Sequence, residues 1–115
     1  MDEVIPQKGL EGENMIRVML CCSAGMSTSM MVQRMQAVAK DRGIEAEIWA
    51  VPEAQAGAEA YKADAILLGP QVRFLLDKIK SVAGDTPVEV IDMAAYGMMN
   101  GEKVLDQAIA LIGHE

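Results

Sequence analysis

The sequence predicts an α/β fold: a four-stranded parallel sheet, βαβαβαβα in chain order, with helices on both faces. Two observations predict it. Short apolar runs alternate four times with segments of helical character, most with a helical apolar period. Each strand is followed by a helix, and right-handed crossovers then place the strands parallel and the helices on both sides. A length of 115 residues, 51% hydrophobic and 23% charged, suits a single compact domain with a sizeable core.

The elements follow in order. Residues 1–14 show no sustained period, carry Pro6, Gly9 and Gly12, and hold four acids against one Lys, so a flexible N-terminal tail is expected before a single domain over 15–115. Residues 16–21 are apolar apart from Arg17, as in a buried parallel strand. Met31, Val32, Met35, Val38 and Ala39 recur at helical spacing, with Lys40 and Arg42 at the negative helix end and Gly43 as its cap. Residues 44–50 alternate: Ile44, Ala46, Ile48 and Ala50 form one face, and Glu45, Glu47 and Trp49 a wetter one, which predicts an edge strand. An Ala-rich helix over roughly residues 52–61 follows, weakened by Gly57. Residues 65–68 form a central strand ending at Gly69-Pro70, and Val72, Leu75, Leu76, Ile79 and Val82 mark an amphipathic helix closed by Gly84. Residues 88–91 are the fourth strand. A loop through Tyr96-Gly97 and Asn100-Gly101 leads to a last helix with Val104, Leu105, Ala108, Ile109 and Ile112.

Composition excludes several functions. A net charge of −7 repels nucleic acid and anionic lipid, and four aromatics supply no stacking platform for bases. No partner of either kind is expected, and charges interrupt every apolar run before it reaches the length of a membrane span. Two adjacent cysteines make no disulfide framework, and the first residues lack the layout of a secretory signal, so reduced thiols in the cytoplasm are expected. One His and two neighbouring Cys do not have the spacing of a metal site; no metal and no cofactor are expected. Most of the ten Met are read as core filling, with Met26, Met30 and Met98 as candidates for an adaptable docking surface.

In parallel α/β sheets ligands bind beyond the carboxyl ends of the strands. The first strand-to-helix turn reads Cys22-Ser23-Ala24-Gly25-Met26-Ser27-Thr28-Ser29. Small residues let backbone N–H groups turn inward, the helix start adds unpaired donors and a positive dipole end, and the hydroxyls add more donors. A tetrahedral oxyanion such as phosphate fits there, and the same field stabilises a thiolate. Cys22 is therefore the candidate nucleophile, with 23–29 as the phosphate cradle. Cys21, on the strand proper, reads as a small buried hydrophobe. Gln71 and Tyr96, beyond the third and fourth strands, are candidates for lining the site. For Gln71 the competing reading is a helix-start side chain in solvent, and for Tyr96 ordinary packing. Asp92 is expected to cap rather than to catalyse.

The run CSAGMSTS after an apolar strand, then LLGPQ (67–71), PVEVID (87–92) and Tyr96-Gly97, resembles the IIB component of the bacterial phosphoenolpyruvate-dependent sugar phosphotransferase system (PTS), lactose and cellobiose/chitobiose family. The resemblance spans Met15 to about Ile112. It implies a phosphotransferase in which Cys22 accepts a phosphoryl group from a phosphohistidine of the IIA protein. The group then passes to a sugar, of the β-linked disaccharide class, held by the membrane IIC permease, with which the cytoplasmic chain would associate. The loop and fold also resemble the low-molecular-weight tyrosine phosphatases, so a small cysteine-dependent phosphatase or arsenate-reductase-like enzyme is the alternative. There an Arg follows the Cys after five residues; here that position is Thr28. A regulatory module that merely holds an anion is a third reading.

Overall fold

The computed structural model describes residues 15–22 and 26–113, with Met26 and Ser27 described in backbone only. Among these, four strands form one parallel sheet: β1 (Ile16–Cys22), β2 (Ala46–Pro52), β3 (Ala65–Leu68) and β4 (Val88–Val90). Their order across the sheet is β2-β1-β3-β4, so β1 and β3 are central. The chain leaves β1 toward β2 and later crosses to β3 on the other side, which puts the reversal of direction between β1 and β3. That crevice is where doubly wound sheets place ligands. The register aligns Cys22 with Pro52 and Cys21 with Leu68, so Cys22 ends its strand beside both neighbours.

Strand alternation sends β1 side chains to two separate cores. Val18 and Leu20 pack with Ile48 and Leu67 beneath α1 (Met26–Arg42) and the last helix, through Met31, Met35, Val104, Leu105 and Ala108. Met19 and Cys21 pack on the other side with Ile66, Leu68, Ala56, Val72 and Ile79. Both faces are covered, and each large side chain fully buried there contributes roughly 1.5–3 kcal/mol. Unbranched Met19, Met31 and Met35 are fully buried, the core-filling role expected of them, whereas Met30, Met93 and Met98 are exposed.

Helix α1 ends as its sequence prescribes. Gly43 takes φ +72°, its N–H donates to Lys40 O at 3.1 Å, and Ile44 N–H donates to Ala39 O at 2.8 Å. This paired closure is the Schellman motif, and it draws Ile44 out of the strand, so β2 starts at Ala46 rather than residue 44. β2 is an edge strand, as its alternation predicted.

Other boundaries differ from the sequence reading. Pro52 closes β2, and the helix expected over 52–61 breaks into a 3₁₀ turn Glu53–Gln55, a single α-turn α2 (Ala56–Glu59) and a 3₁₀ turn Ala60–Lys62. Gly57 and the lack of any side-chain cap leave little to hold a longer helix. The helix expected from Val72 opens instead as a 3₁₀ segment, Pro70–Leu75, before α3 (Leu76–Ala83), and Val82 faces solvent rather than the core. The loop expected after the fourth strand contains α4 (Met93–Gly97), and α5 (Gly101–Gly113) follows it. No helix among the described residues is long and apolar enough to cross a membrane.

Candidate active site

The carboxyl ends of β1, β3 and β4 bring three turns together. Cys22 is the last residue of β1 and is buried; by alternation it lies on the side of Val18 and Leu20, beneath α1. Helix α1 opens at Met26, so the expected loop is shorter than the sequence suggested: Met26, Ser27, Thr28 and Ser29 belong to the first turn of the helix. The predicted cradle residues Ser23, Ala24 and Gly25 lie outside the described residues, as do the side chains of Met26 and Ser27. The α1 terminus four residues after the thiol presents backbone N–H groups that have no partner inside the helix.

Thr28 is fully buried, and its Oγ1 lies 3.2 Å from the hydroxyl of Tyr96, a pair in which either group can donate. Gln71 Nε2 donates to the same Tyr96 oxygen at 3.4 Å. One phenol oxygen thus joins the turns after β1, β3 and β4. The Tyr96 ring packs against the core under α1, so packing and a place at the site are not exclusive. Gln71 reaches Tyr96 because it folds back over Gly69: a Cβ at residue 69 would stand 2.7 Å from Gln71 Oε1. The turn itself is tied to β1 by Gly69 N–H donating to Cys21 O at 2.9 Å.

Asp92 caps α4, its Oδ2 accepting from Ala95 N–H at 2.9 Å, which orients the helix that carries Tyr96. Cys21 is buried in the opposite core. Burial pushes its thiol up to about 11, with Cys22 and Glu53 adding negative potential. It packs there as a small apolar side chain. Arg73 lies two residues after Gln71, but its Nη1 donates to Pro70 O within its own turn at 3.2 Å. The arrangement offers a thiol, helix-terminal amides and neutral hydroxyl and amide donors, a set suited to a phosphoryl group. The linkage of Thr28 to Tyr96 across the chain was not legible in the sequence, because no spacing encodes a contact between residues so far apart. The signal for Gly69 was present only as a turn residue.

The chain matches the family described as PTS system, Lactose/Cellobiose specific IIB subunit, over residues 17–107. It belongs to that family. Among curated relatives, it is 47% identical over 100 residues to the oligo-beta-mannoside-specific EIIB component of Bacillus subtilis (strain 168), covering 85% of this chain and 97% of that protein. It is 44% identical over 98 residues to the cellobiose-specific EIIB component of Lactococcus lactis subsp. lactis (strain IL1403), with 79% and 91% covered. The solution structure of the cellobiose-specific IIB component from Borrelia burgdorferi superposes with TM-score 0.73 at 39% identity, covering 87% of this chain and 94% of that one. The lactose-specific IIB domain of Streptococcus pneumoniae shares the fold, with TM-score 0.69 at 15% identity, covering 86% and 96% of the two chains. IIB components are phosphotransferases that move phosphate to sugar, so this IIB chain is a component of a sugar phosphotransferase system.

Proposed function

We propose that Cys22 is the phosphoryl carrier of this IIB chain. The Cys22 sulfur attacks the phosphorus of a phosphohistidine on a IIA protein, the S–P bond forms, the P–N bond breaks, and imidazole leaves. A hydroxyl of a sugar bound in a membrane IIC permease, giving up its proton to a base of that permease, then attacks the same phosphorus, and the S–P bond breaks to restore the thiolate. A β-linked disaccharide is the proposed sugar class, in keeping with the cellobiose and oligo-beta-mannoside systems of the relatives. Transfer on the cytoplasmic side of IIC follows from that partnership.

The observation that supports this most is that Cys22 is the buried last residue of β1, a strand bordering the β1–β3 reversal, four residues before α1 begins. Amides of residues 23–29 would hold the equatorial oxygens, where preorganised donors act on developing charge. Gln71 and Tyr96 would border the group, and Tyr96 would fix Thr28. Exposed Met30 and Met98 lie on elements at this end of the sheet and offer flexible apolar contact to the two partner proteins. The phosphatase alternative gains no support: Thr28 stands where its Arg would be, hydrogen-bonded to Tyr96.

The test is phosphorylation by phosphoenolpyruvate through the general PTS proteins and IIA, followed by intact mass. Wild type is expected to gain one phosphoryl group, Cys22→Ser none, because a serine hydroxyl stays protonated at neutral pH, and Cys21→Ser nearly the wild-type amount. Equal loss in both variants would overturn the assignment.

A further inference from the structure

The covering of the sheet face opposite α1 leaves a cleft at one edge. The broken helical segment between β2 and β3 packs Ala56 and Ala60 into the core, and beside it, at the amino ends of β1 and β2, a cleft of about 420 Å³ opens. That volume lies within the roughly 300–1,000 Å³ of small-molecule sites. The cleft is lined by Trp49 of the edge strand, Tyr61 of the broken segment, and charged side chains from both. Arg17 is five residues before Cys22 on β1, roughly 16 Å along an extended strand, so the cleft is separate from the thiol.

Its charges largely satisfy one another. Arg17 Nε lies 3.7 Å from Glu47 Oε1, Lys62 Nζ lies 3.4 Å from Glu59 Oε1, and Arg17 N–H donates to Asp64 Oδ2 at 2.9 Å. Lys62 Nζ also sits 5.8 Å from the centroid of the Tyr61 ring. An anion entering here meets more carboxylates than cations, and a cation meets Arg17 and Lys62 among carboxylates of which two are already paired; a neutral ligand meets neither repulsion. What the cleft still offers is planar polar groups with spare acceptors, an indole N–H at Trp49 that has no acceptor among the described residues, and a Tyr61 ring that is 80% exposed. Hydroxyl groups, which donate and accept at once, match the first two, and the C–H face of a pyranose stacks on the third.

We infer that this cleft binds a neutral saccharide of one or two pyranose rings. It does not depend on Cys22, and both sites can be filled at once. Trp49 is the only tryptophan of the chain, so its fluorescence and its indole N–H resonance report on the cleft without a label. Full-length unphosphorylated protein is titrated with cellobiose, and in parallel with glucose 6-phosphate and with choline. A saturable shift of both Trp49 signals by cellobiose is expected, with Kd on the order of 1 mM for so open a site, and weaker binding of both ions. Tyr61→Ala, at an exposed position that leaves the core intact, is expected to weaken cellobiose binding about threefold to tenfold. A linear, non-saturating response would overturn the proposal. So would tighter binding of either ion, or an affinity unchanged by Tyr61→Ala in a variant whose backbone amide spectrum is otherwise that of wild type.

Discussion

Cys21 and Cys22 are neighbours in the chain but sit in different environments, because successive strand residues point to opposite faces. Cys21 lies among Met19, Ile66 and Leu68, where ionisation would bury an unpaired charge. Its thiol is accordingly pushed up from an ordinary 9.0 to about 11. A group raised in the folded state adds stability that is fully present below its unfolded value and lost as pH rises through its folded one. The window is therefore pH 9 to 11, and the loss at its top is roughly 2–3 kcal/mol. Urea unfolding of wild type and of Cys21→Val, which keeps an apolar side chain of similar size, should diverge across that window, wild type losing more stability as pH rises. Parallel curves from pH 8 to 11 would show that Cys21 ionises without penalty.

At the scale of elements, α5 starts in tight contact with α1. A Cβ at Gly101 would lie 2.8 Å from the Arg34 carbonyl carbon and Cβ, contacts with backbone that no rotamer change relieves. Gly101→Ala is expected to cost about 1–3 kcal/mol by forcing the helices apart, outweighing the small gain in helix propensity. Gly113→Ala, where nothing lies within 4 Å, serves as the control and should leave the urea midpoint near wild type. The sequence marked Gly101 only as a turn residue after Asn100. Asn100 does cap α5, its Oδ1 accepting from Lys103 N–H at 3.1 Å, but the need for glycine comes from a packing partner far away in sequence. The same division runs through the fold. Strands, their parallel direction and helices α1 and α5 were legible because both sheet faces are buried and long helices show their period. α4 was not, since five residues are too few to show one and Tyr96-Gly97 reads as a turn. At the candidate site, the position of Cys22 was legible from the strand end, whereas the meeting of Thr28, Gln71 and Tyr96 required three turns to be placed in space.

For the whole molecule, the distribution of arginine bears on how a phosphorylated Cys22 would behave. A guanidinium fork that clamps equatorial oxygens is what a cysteine phosphatase brings to hydrolysis. Arg17 lies at the amino end of the sheet, away from the thiol. Arg42 is committed at the far end of α1, its Nη1 2.7 Å from Asp106 and its Nη2 3.5 Å from Glu102. Arg34 lies midway along α1 on its exposed side, and Arg73 turns back on Pro70. Among the described residues none donates into the crevice between β1 and β3. Helix-terminal amides and neutral hydroxyls can hold a phosphoryl group there, yet they neutralise less charge than a guanidinium, and loss of such a charged group can slow phosphoryl transfer by roughly 10³–10⁵. The phosphoprotein is therefore expected to decay slowly in buffer and to discharge rapidly when membranes containing IIC and a β-linked disaccharide are added. The measurement is loss of the phosphoryl mass with time in each condition. Fast decay in buffer, accompanied by steady release of inorganic phosphate from aryl phosphates, would identify a hydrolase in place of a carrier.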